Sequence, residues 1–473
     1  MIPEPPKSAR TLNSWLLPRP LRVRIGEAKR RRGLSRPLVW ENFHSKFVQD
    51  VGVLTVGNFI AAALNLVQGI LVARWLYPEL YGIASLVLLY PRLIYGLFDA
   101  GSGAATVKYF GQYYALGEHV RALAICKLGY LVDAGAALLG LGVVVLSAQF
   151  AADIFVHDPH VAGLIMLYGL AIVPRVFVGT SNAILVSLGR SQWIASIETL
   201  GNSLRVVLVV GLVLAGWQVA GVVWANAAAS IALGLLYVVS AWVLVRRACG
   251  ASIMAGRLST LNSERRPLLS FFAYNHLNAL ITLIPQQLDS ILLGYFRGPT
   301  EVGYYRLAKN LAEVVEYVRT PLFSVSYAQL AKISGPGREQ AIREKIRRLA
   351  FWGVPLGVVV LGGAALVPFV LPLLVGGHYS PAVFAAQILI VAAGISLPFF
   401  WLRAIYLVKN LVREFFIVSS AVTVSIMLVY PFIIWKWGFL GAAGAMLALH
   451  VVGTLARGLW LWKQSCAASN RAS

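Results

Sequence analysis

The sequence predicts an all-α polytopic membrane protein with about twelve transmembrane helices. Hydrophobic residues make up 58% of the 473 residues, charged residues only 13%, and the mean hydropathy is +0.73. A soluble protein carries about a quarter charged residues. Apolar stretches of membrane-spanning length recur along nearly the whole chain, and basic residues concentrate between them. These observations exclude a large soluble core.

The apolar stretches define the elements in chain order. Each is about 20 residues or longer, which is enough for a helix to cross the hydrocarbon layer of a bilayer. The connections are short, and none is large enough to form a folded soluble domain. The predicted spans are 50–73, 81–103, 123–147, 161–187, 193–215, 219–244, 268–294, 302–329, 350–374, 382–407, 413–435 and 439–462.

Charge placement predicts how these spans are oriented. Of the 41 lysines and arginines, 28 fall on one set of alternate connections, whereas only Arg74, Arg297 and Lys436 lie on the other set. Cytoplasmic connections carry the excess of basic residues in membrane proteins. We therefore expect both termini in the cytoplasm, and the net charge of +22 requires no nucleic-acid partner.

The span 302–329 is unusual because it carries a stripe of charged residues. Arg306, Lys309, Glu313 and Glu316 fall within about an 80° arc of a helix. An amphipathic helix on the membrane surface is the alternative. Charged residues within a span must face protein or water instead of lipid, so a spanning stripe predicts a polar path through the protein.

The flanking charges favour the spanning alternative. The connections 246–267 and 331–348 are both strongly basic, so both should lie in the cytoplasm. An even number of crossings must then separate them. Residues 268–294 supply one crossing, and 302–329 must supply the second.

The two halves of the chain repeat with an offset of about 221 residues. Residues 78–82 match 299–303, with Gly82 aligned to Gly303, and residues 220–222 match 440–442. Six spans in each half give both halves the same orientation, so the repeats are parallel. Transporters built in this way place their substrate sites between the two lobes.

The superposition also pairs polar positions within the spans. Asn65 matches Gln286, Gln68 matches Asp289, Arg92 matches Glu313, and Tyr95 matches Glu316. In the second span, Arg92, Tyr95 and Asp99 share one helix face. These stripes are interpreted either as walls of a cavity or as interhelical ion pairs, such as Arg92 with Glu313.

The predicted domain organisation follows from the spans and the repeat. The N-terminal tail is basic, rich in proline and expected to be disordered in the cytoplasm, attracted to anionic lipid headgroups. A basic cytoplasmic linker joins the two six-helix lobes. The predicted ranges are 1–46 for the tail, 47–247 for the N-terminal lobe, 248–267 for the linker, 268–464 for the C-terminal lobe and 465–473 for a second cytoplasmic tail.

Several motifs in these spans resemble bacterial oligosaccharide flippases of the polysaccharide transporter (Wzx-like) family. The motifs lie at 53–74, 78–82, 97–101, 288–296, 299–305, 377–382 and 438–443, and the resemblance covers roughly residues 47–464. It implies a MATE-like two-lobed bundle of the multidrug/oligosaccharidyl-lipid/polysaccharide exporter superfamily. The implied cargo is undecaprenyl-diphosphate-linked oligosaccharide for O-antigen, capsule or exopolysaccharide. The implied location is the bacterial inner membrane, with a polysaccharide polymerase or export complex as a further partner.

Such a cargo explains why cations lie within the spans. A diphosphate is costly in hydrocarbon unless cations and hydrogen-bond donors replace its water, and arginine donates to phosphate in pairs. We expect a transporter without catalytic residues, cofactor or metal, working by alternating access. The candidate cavity residues are Arg92, Tyr95, Asp99, Lys127, Arg175, Arg205, Asp289, Arg306, Lys309, Glu313, Glu316 and Arg403.

Three other functions compete with this interpretation. A multidrug exporter of the same superfamily would favour an acidic cavity, but basic residues outnumber acidic residues within the spans. A peptidoglycan lipid-precursor flippase usually has fourteen spans. A membrane-bound glycosyltransferase or polymerase generally needs a large outward loop or a soluble catalytic domain. Neither of these is visible in the sequence.

Overall fold

The computed structural model describes residues 36–333, 339–409 and 411–469. All regular elements in these ranges are helical, and none of these residues lies in a strand. Within the described residues, the chain from Val53 onward forms one compact unit, which holds the predicted C-terminal lobe and the predicted N-terminal lobe except for residues 47–52. Of the predicted tails, residues 1–35 and 470–473 lie outside the described residues.

The N-terminal repeat consists of seven helices that supply six membrane passes. Apolar runs become helices here because backbone polar groups in a membrane must be satisfied within the segment. Gly117, with a φ of 76°, ends the short helix α2 by a turn that other residues rarely adopt. The helices are α1 (Arg36–Phe98), α2 (Ser102–Ala115), α3 (His119–Ala151), α4 (Ala162–Val176), α5 (Val178–Ser187), α6 (Ser191–Leu214) and α7 (Gln218–Cys249).

The C-terminal repeat follows the same plan with six helices. One long helix, α13, supplies its last two passes, and a pair of shorter helices, α11 and α12, supplies the pass before them. The helices are α8 (Arg265–Arg297), α9 (Pro299–Ile333), α10 (Glu339–Val375), α11 (Ala382–Ser396), α12 (Leu402–Val408) and α13 (Val412–Ser469).

The predicted spans each correspond to a helix or to a closely linked pair of helices. Two long helices each contain a break between two predicted spans, at Tyr77 in α1 and at Gly438 in α13. Eight helices in the described chain are long and apolar enough to cross a membrane, and two of them, Ala63–Phe98 and Val412–Gln464, include these breaks. Helices α8 and α9 are not among the eight, and α9 is the helix with the charged stripe.

The internal duplication appears directly in the contact between the repeats. A Cβ atom on Gly82 would lie 1.8 Å from the carbonyl oxygen of Pro299, and one on Gly303 would lie 1.9 Å from that of Pro78. Pro78 and Pro299 differ by the same offset as the two glycines, so the contact is reciprocal, as at a two-fold interface. The predicted arrangement of two parallel repeats is therefore confirmed.

The predicted linker, residues 248–267, packs closely on the N-terminal repeat. Ile253 and Leu261 are almost fully buried in a cluster with side chains of α2 and α3. The Tyr113 hydroxyl in α2 donates to the Glu264 carboxylate. Burial and this carboxylate raise the pKa of Tyr113 well above its ordinary value, so the hydroxyl remains a donor at neutral pH. The linker is thus anchored to one repeat.

Candidate functional site

A cavity of about 240 Å³ lies where α9 of the C-terminal repeat meets helices of the N-terminal repeat. We call it the interlobe cavity. Its charged lining residues are Arg92 from α1, Arg205 from α6, and Arg306 and Glu313 from α9. Three arginines face one glutamate, so the lining has a formal excess of positive charge.

Hydrogen bonds hold the two N-terminal arginines in place. The Nε atom of Arg92 donates to the Tyr168 hydroxyl at 2.7 Å, and the guanidinium carbon lies 5.4 Å from the centre of that ring. The Nη2 atom of Arg205 donates to the side-chain oxygens of Asn65 and Asn202, the latter at 2.7 Å. Such partners orient a guanidinium without neutralising it, because none of them carries a negative charge.

A polar contact joins the two repeats beside this cavity. The Nδ2 atom of Asn310 in α9 donates to the Tyr81 hydroxyl in α1 at 2.8 Å. Gly69 brings the α1 backbone close to the same amide, since a Cβ atom there would lie 3.4 Å from it. Asn310 and Tyr81 both line the interlobe cavity, so its wall includes a direct link between the lobes.

A larger cavity of about 690 Å³ lies among α8, α9, α11 and α13 of the C-terminal repeat. We call it the C-lobe cavity. Arg306, Glu313 and Tyr317 line both this cavity and the interlobe cavity. Lys309 and Glu316 line the C-lobe cavity only. The charged stripe of α9 therefore forms a shared wall between two cavities.

One member of the stripe is tied to a buried carboxylate. The Nζ atom of Lys309 lies 2.5 Å from the Asp289 Oδ2 atom and also donates to the Gln286 carbonyl oxygen at 2.7 Å. Asp289 is fully buried and accepts a second hydrogen bond from the Tyr305 hydroxyl at 2.7 Å. This network satisfies the charge of Asp289, and it places Asp289 behind the cavity wall.

A third cavity of about 370 Å³ contains three arginines from three elements, and we call it the arginine pocket. Arg319 of α9, Arg403 of α12 and Arg457 of α13 line it. Arg319 also lines the C-lobe cavity and forms an ion pair with Glu316, with 2.6 Å between Nη2 and Oε2. The stripe on α9 thus continues from the interlobe cavity to this pocket.

Five of the predicted site residues line none of the three cavities: Asp289, which lies behind the cavity wall, and the four described next. Tyr95 is buried inside the N-terminal repeat, where its hydroxyl donates to the Gly169 carbonyl oxygen at 2.9 Å. Asp99 is exposed and accepts a hydrogen bond from the Gly101 backbone at 2.8 Å. Lys127 donates to the carbonyl oxygen of Met254 in the linker. Arg175 is exposed at the end of α4.

Several residues that line the cavities were missing from the predicted set. The interlobe cavity includes Asn65, Gln68, Asn226 and Asn310. These residues could have been identified from the sequence, because they are polar residues within apolar helices. Asn65 and Gln68 had already been paired with polar positions of the second repeat. The arginine pocket adds Arg319 and Arg457, which are not among the predicted site residues.

The repeats also touch at the end of the bundle where α1 and α13 break. The ring of Tyr77 lies 4.7 Å from the ring of His378, measured between centroids. The Nη1 atom of Arg74 approaches the Leu374 carbonyl oxygen at 3.5 Å. Together with the Gly82 and Gly303 contacts, these interactions join the two repeats at this end of the bundle, which we call the sealed end.

Two parallel repeats, each with six membrane passes, and the charged cavities that they form define a polytopic membrane protein. The chain belongs to the polysaccharide biosynthesis protein family, whose model matches residues 47–334, more than half of its length. A comparison with curated proteins found no match.

Solved structures share the fold at low sequence identity. Lipid II flippase MurJ in an inward closed conformation matches with a TM-score of 0.63 and 16% identity, over 86% of this chain and 87% of that one. An inward-facing multidrug resistance MATE transporter of the MOP superfamily matches with a TM-score of 0.65 and 16% identity, over 87% of this chain and 96% of that one. A third match is a MOP superfamily transporter from Pyrococcus furiosus, which is described as having a binding pocket of reverse polarity. Its TM-score is 0.57 and its identity is 14%, over 90% of this chain and 96% of that one.

Proposed function

We propose that this protein is a flippase that moves undecaprenyl-diphosphate-linked oligosaccharide across the bacterial inner membrane for the synthesis of a surface polysaccharide. Family membership supports a role in polysaccharide biosynthesis. The fold, which is shared with a lipid II flippase, supports transport of a lipid-linked precursor. In this proposal both termini, the linker and the other basic connections face the cytoplasm.

The observation that carries the proposal is the charge of the interlobe cavity. Arg92, Arg205 and Arg306 surround a space that only Glu313, among its described lining residues, supplies with negative charge. A diphosphate needs donors and positive charge in place of water when it leaves the aqueous phase. Guanidinium groups provide both, in a geometry that fits phosphate oxygens.

The mechanism that we propose is alternating access between the two lobes. The cavity takes the diphosphate and its sugars, while the lipid tail stays in the bilayer. The contacts at the sealed end then open as those near the basic connections close. Arg306 and Glu313 line both the interlobe cavity and the C-lobe cavity, so the headgroup can pass along α9 without losing contact with charged side chains.

Transport in proteoliposomes tests the function directly. We expect the purified protein to move a diphosphate-linked oligosaccharide to the opposite leaflet, and Arg92→Gln or Arg306→Gln to slow this by about tenfold or more. Lys436→Gln is the matched control, because Lys436 is exposed and outside the three cavities. Equal rates in the control and in both cavity variants would refute the role of these arginines.

Deletion of the gene tests the function in cells. We expect lipid-linked sugars to accumulate on the inner leaflet and surface polysaccharide to be lost. The MATE-type fold and the acids Glu313 and Glu316 favour a multidrug exporter as the second candidate. Unchanged glycans together with new drug sensitivity would support that candidate. Arrested peptidoglycan synthesis would instead indicate a lipid II flippase.

A further inference from the structure

We propose that the arginine pocket is a separate anion-binding site, which takes the phosphoryl group of a membrane lipid or of a soluble phosphate compound. The pocket lies entirely within the C-terminal repeat and shares no lining residue with the interlobe cavity. The proposal therefore stands whether or not the interlobe cavity transports a diphosphate.

The charge of the pocket fits an anion. Arg319, Arg403 and Arg457 reach it from three different helices, and none of the described residues that line it is acidic. Glu316 pairs with Arg319 from the side of the C-lobe cavity. Two of the three guanidinium groups thus have no carboxylate partner among the described ion pairs.

Aromatic rings orient these two arginines and leave their N–H groups available. The guanidinium carbon of Arg403 lies 5.2 Å from the ring centre of Phe323, and that of Arg457 lies 5.6 Å from the ring centre of Phe415. Cation–π contact engages the π face of the ring and supplies no hydrogen-bond acceptor oxygen. The arginines are therefore held in place but remain able to bind an oxyanion.

A buried donor points to a missing acceptor. The Nε atom of Arg457 is buried and has no hydrogen-bond partner among the described residues. Leaving a buried charged donor unsatisfied is costly. The hydroxyls of Thr320, Ser324 and Ser396, which also line the pocket, donate to carbonyl oxygens of their own segments. An external oxyanion would supply the acceptor that these side chains do not.

An interruption of the helical backbone accompanies the pocket. Between α11 and α12, Leu397–Phe399 form a 3-10 turn, and Phe399 and Phe400 line the pocket. Non-helical backbone at membrane depth is tolerated where it is buried in protein or lines a cavity. Arg403 lies about 9 Å along the helix from Lys409, at 1.5 Å per residue. The pocket is therefore close to the basic residues Lys409 and Arg413, which in the proposed orientation face the cytoplasm.

The internal duplication does not account for the three arginines. At the offsets of the two repeats, Arg319 corresponds to Phe98, Arg403 to Asn182 and Arg457 to Tyr237. A set of cations needed only to complete the six-helix architecture would be expected in both repeats. Its presence in one repeat favours a specific ligand.

Thermal unfolding of the full chain in detergent tests the site with two anionic probes, inorganic pyrophosphate and phosphatidic acid. Phosphatidylcholine, which is zwitterionic, is the control lipid. We expect an anionic probe to raise the midpoint temperature of unfolding of the unsubstituted protein. The double variant Arg403→Gln/Arg457→Gln should weaken its apparent affinity by about tenfold or more. Arg246→Gln is the control, because Arg246 is exposed and outside the pocket. Arg92→Gln should keep the response, which separates this site from the interlobe cavity.

A protection experiment on the unsubstituted protein covers the case in which the double variant does not fold. Bound probe should protect Arg403 and Arg457, but not Arg246, from phenylglyoxal. A response to pyrophosphate assigns a soluble phosphate compound as the ligand, and a response to phosphatidic acid alone assigns a lipid. The proposal is overturned if neither probe stabilises the protein, if a folded double variant responds equally, or if neither probe protects these arginines.

Discussion

At the scale of single residues, the basic side chains that line the interlobe and C-lobe cavities fall into two groups. Arg92 and Arg205 have neutral hydrogen-bond partners, and the Nε atoms of Arg205 and Arg306 have no partner within the described chain. Lys309 instead lies in a buried ion pair with Asp289. A cation without an acidic partner can interact with the charge of a ligand, whereas the charge of a paired cation is already balanced by its carboxylate. The two groups should respond differently to substitution.

The ion pair of Lys309 provides the first prediction. Asp289→Ala leaves a buried ammonium group without its carboxylate, and we expect a loss of about 3–5 kcal/mol in stability. The double variant Asp289→Leu/Lys309→Met should recover most of the lost stability, because neither buried charge remains. Denaturant unfolding in detergent measures this. If the single and double variants lose the same stability, the pair is not the stabilising unit that its geometry indicates.

Transport by that double variant then decides what Lys309 does. If the double variant is folded and active, the ion pair serves only to stabilise the fold. If it is folded but inactive, we infer that Lys309 also binds the transported substrate.

At the scale of helices and turns, close backbone approach determines where the two repeats meet. Helix α1 breaks at Tyr77, and the helical turns that follow bring Pro78 and Gly82 against their counterparts, Pro299 and Gly303, in the first turns of α9. In α13, Gly438 adopts a φ of 57°, and Glu301 accepts a hydrogen bond from the Phe439 backbone at 2.9 Å. This carboxylate satisfies one of the free N–H groups that begin the last membrane pass.

Substitution of the two contact glycines is the second prediction. Gly82→Val and Gly303→Val place side-chain atoms where a carbonyl oxygen lies less than 2 Å from the first carbon, so both should separate the repeats at the sealed end. We expect faster labelling of Tyr77→Cys by an impermeant maleimide in either background, to a similar extent. Gly142→Ala is the control, because a Cβ atom there has open space. A large effect at only one glycine would contradict a reciprocal contact.

At the scale of the whole molecule, the proposed alternating access requires the sealed end to open and close. The Tyr77 and His378 rings bridge the two repeats there. Tyr304 and Phe439 are at a similar distance, 5.5 Å between centroids, but belong to the same repeat. This difference makes one pair sensitive to movement between the lobes and the other insensitive to it.

Cross-linking across these pairs is the third prediction. A short bismaleimide between Tyr77→Cys and His378→Cys should stop transport, because the lobes can no longer separate at this end. The pair Tyr304→Cys/Phe439→Cys should react without stopping it. Proteoliposome transport before and after cross-linking measures both effects. Full activity in the cross-linked Tyr77/His378 protein would exclude opening at this end from the transport cycle.

The sequence was sufficient to predict the all-helical fold and its duplication, since both depend on hydrophobic length and on a constant offset. The charged stripe on α9 was also placed correctly on one helix face, and its members line cavities. Tyr95 and Asp99 share the face of Arg92 by periodicity but lie elsewhere. Helical spacing predicts a face and does not predict which neighbour covers it. Arg457 was not among the predicted site residues, because its place near the end of a span does not reveal the pocket beside it.

The reciprocal glycine contact has a consequence for the origin of this chain. A single six-helix ancestor that paired with a second copy of itself would have met that copy through the same proline and glycine, since the contact is identical from both sides. Gene fusion would then have preserved the contact while freeing each half to change independently. Arg92 and Glu313 occupy equivalent positions with opposite charges, a difference that no homodimer can encode. Such a fusion would give a cavity with different charges on its two sides while keeping a symmetric contact between the repeats.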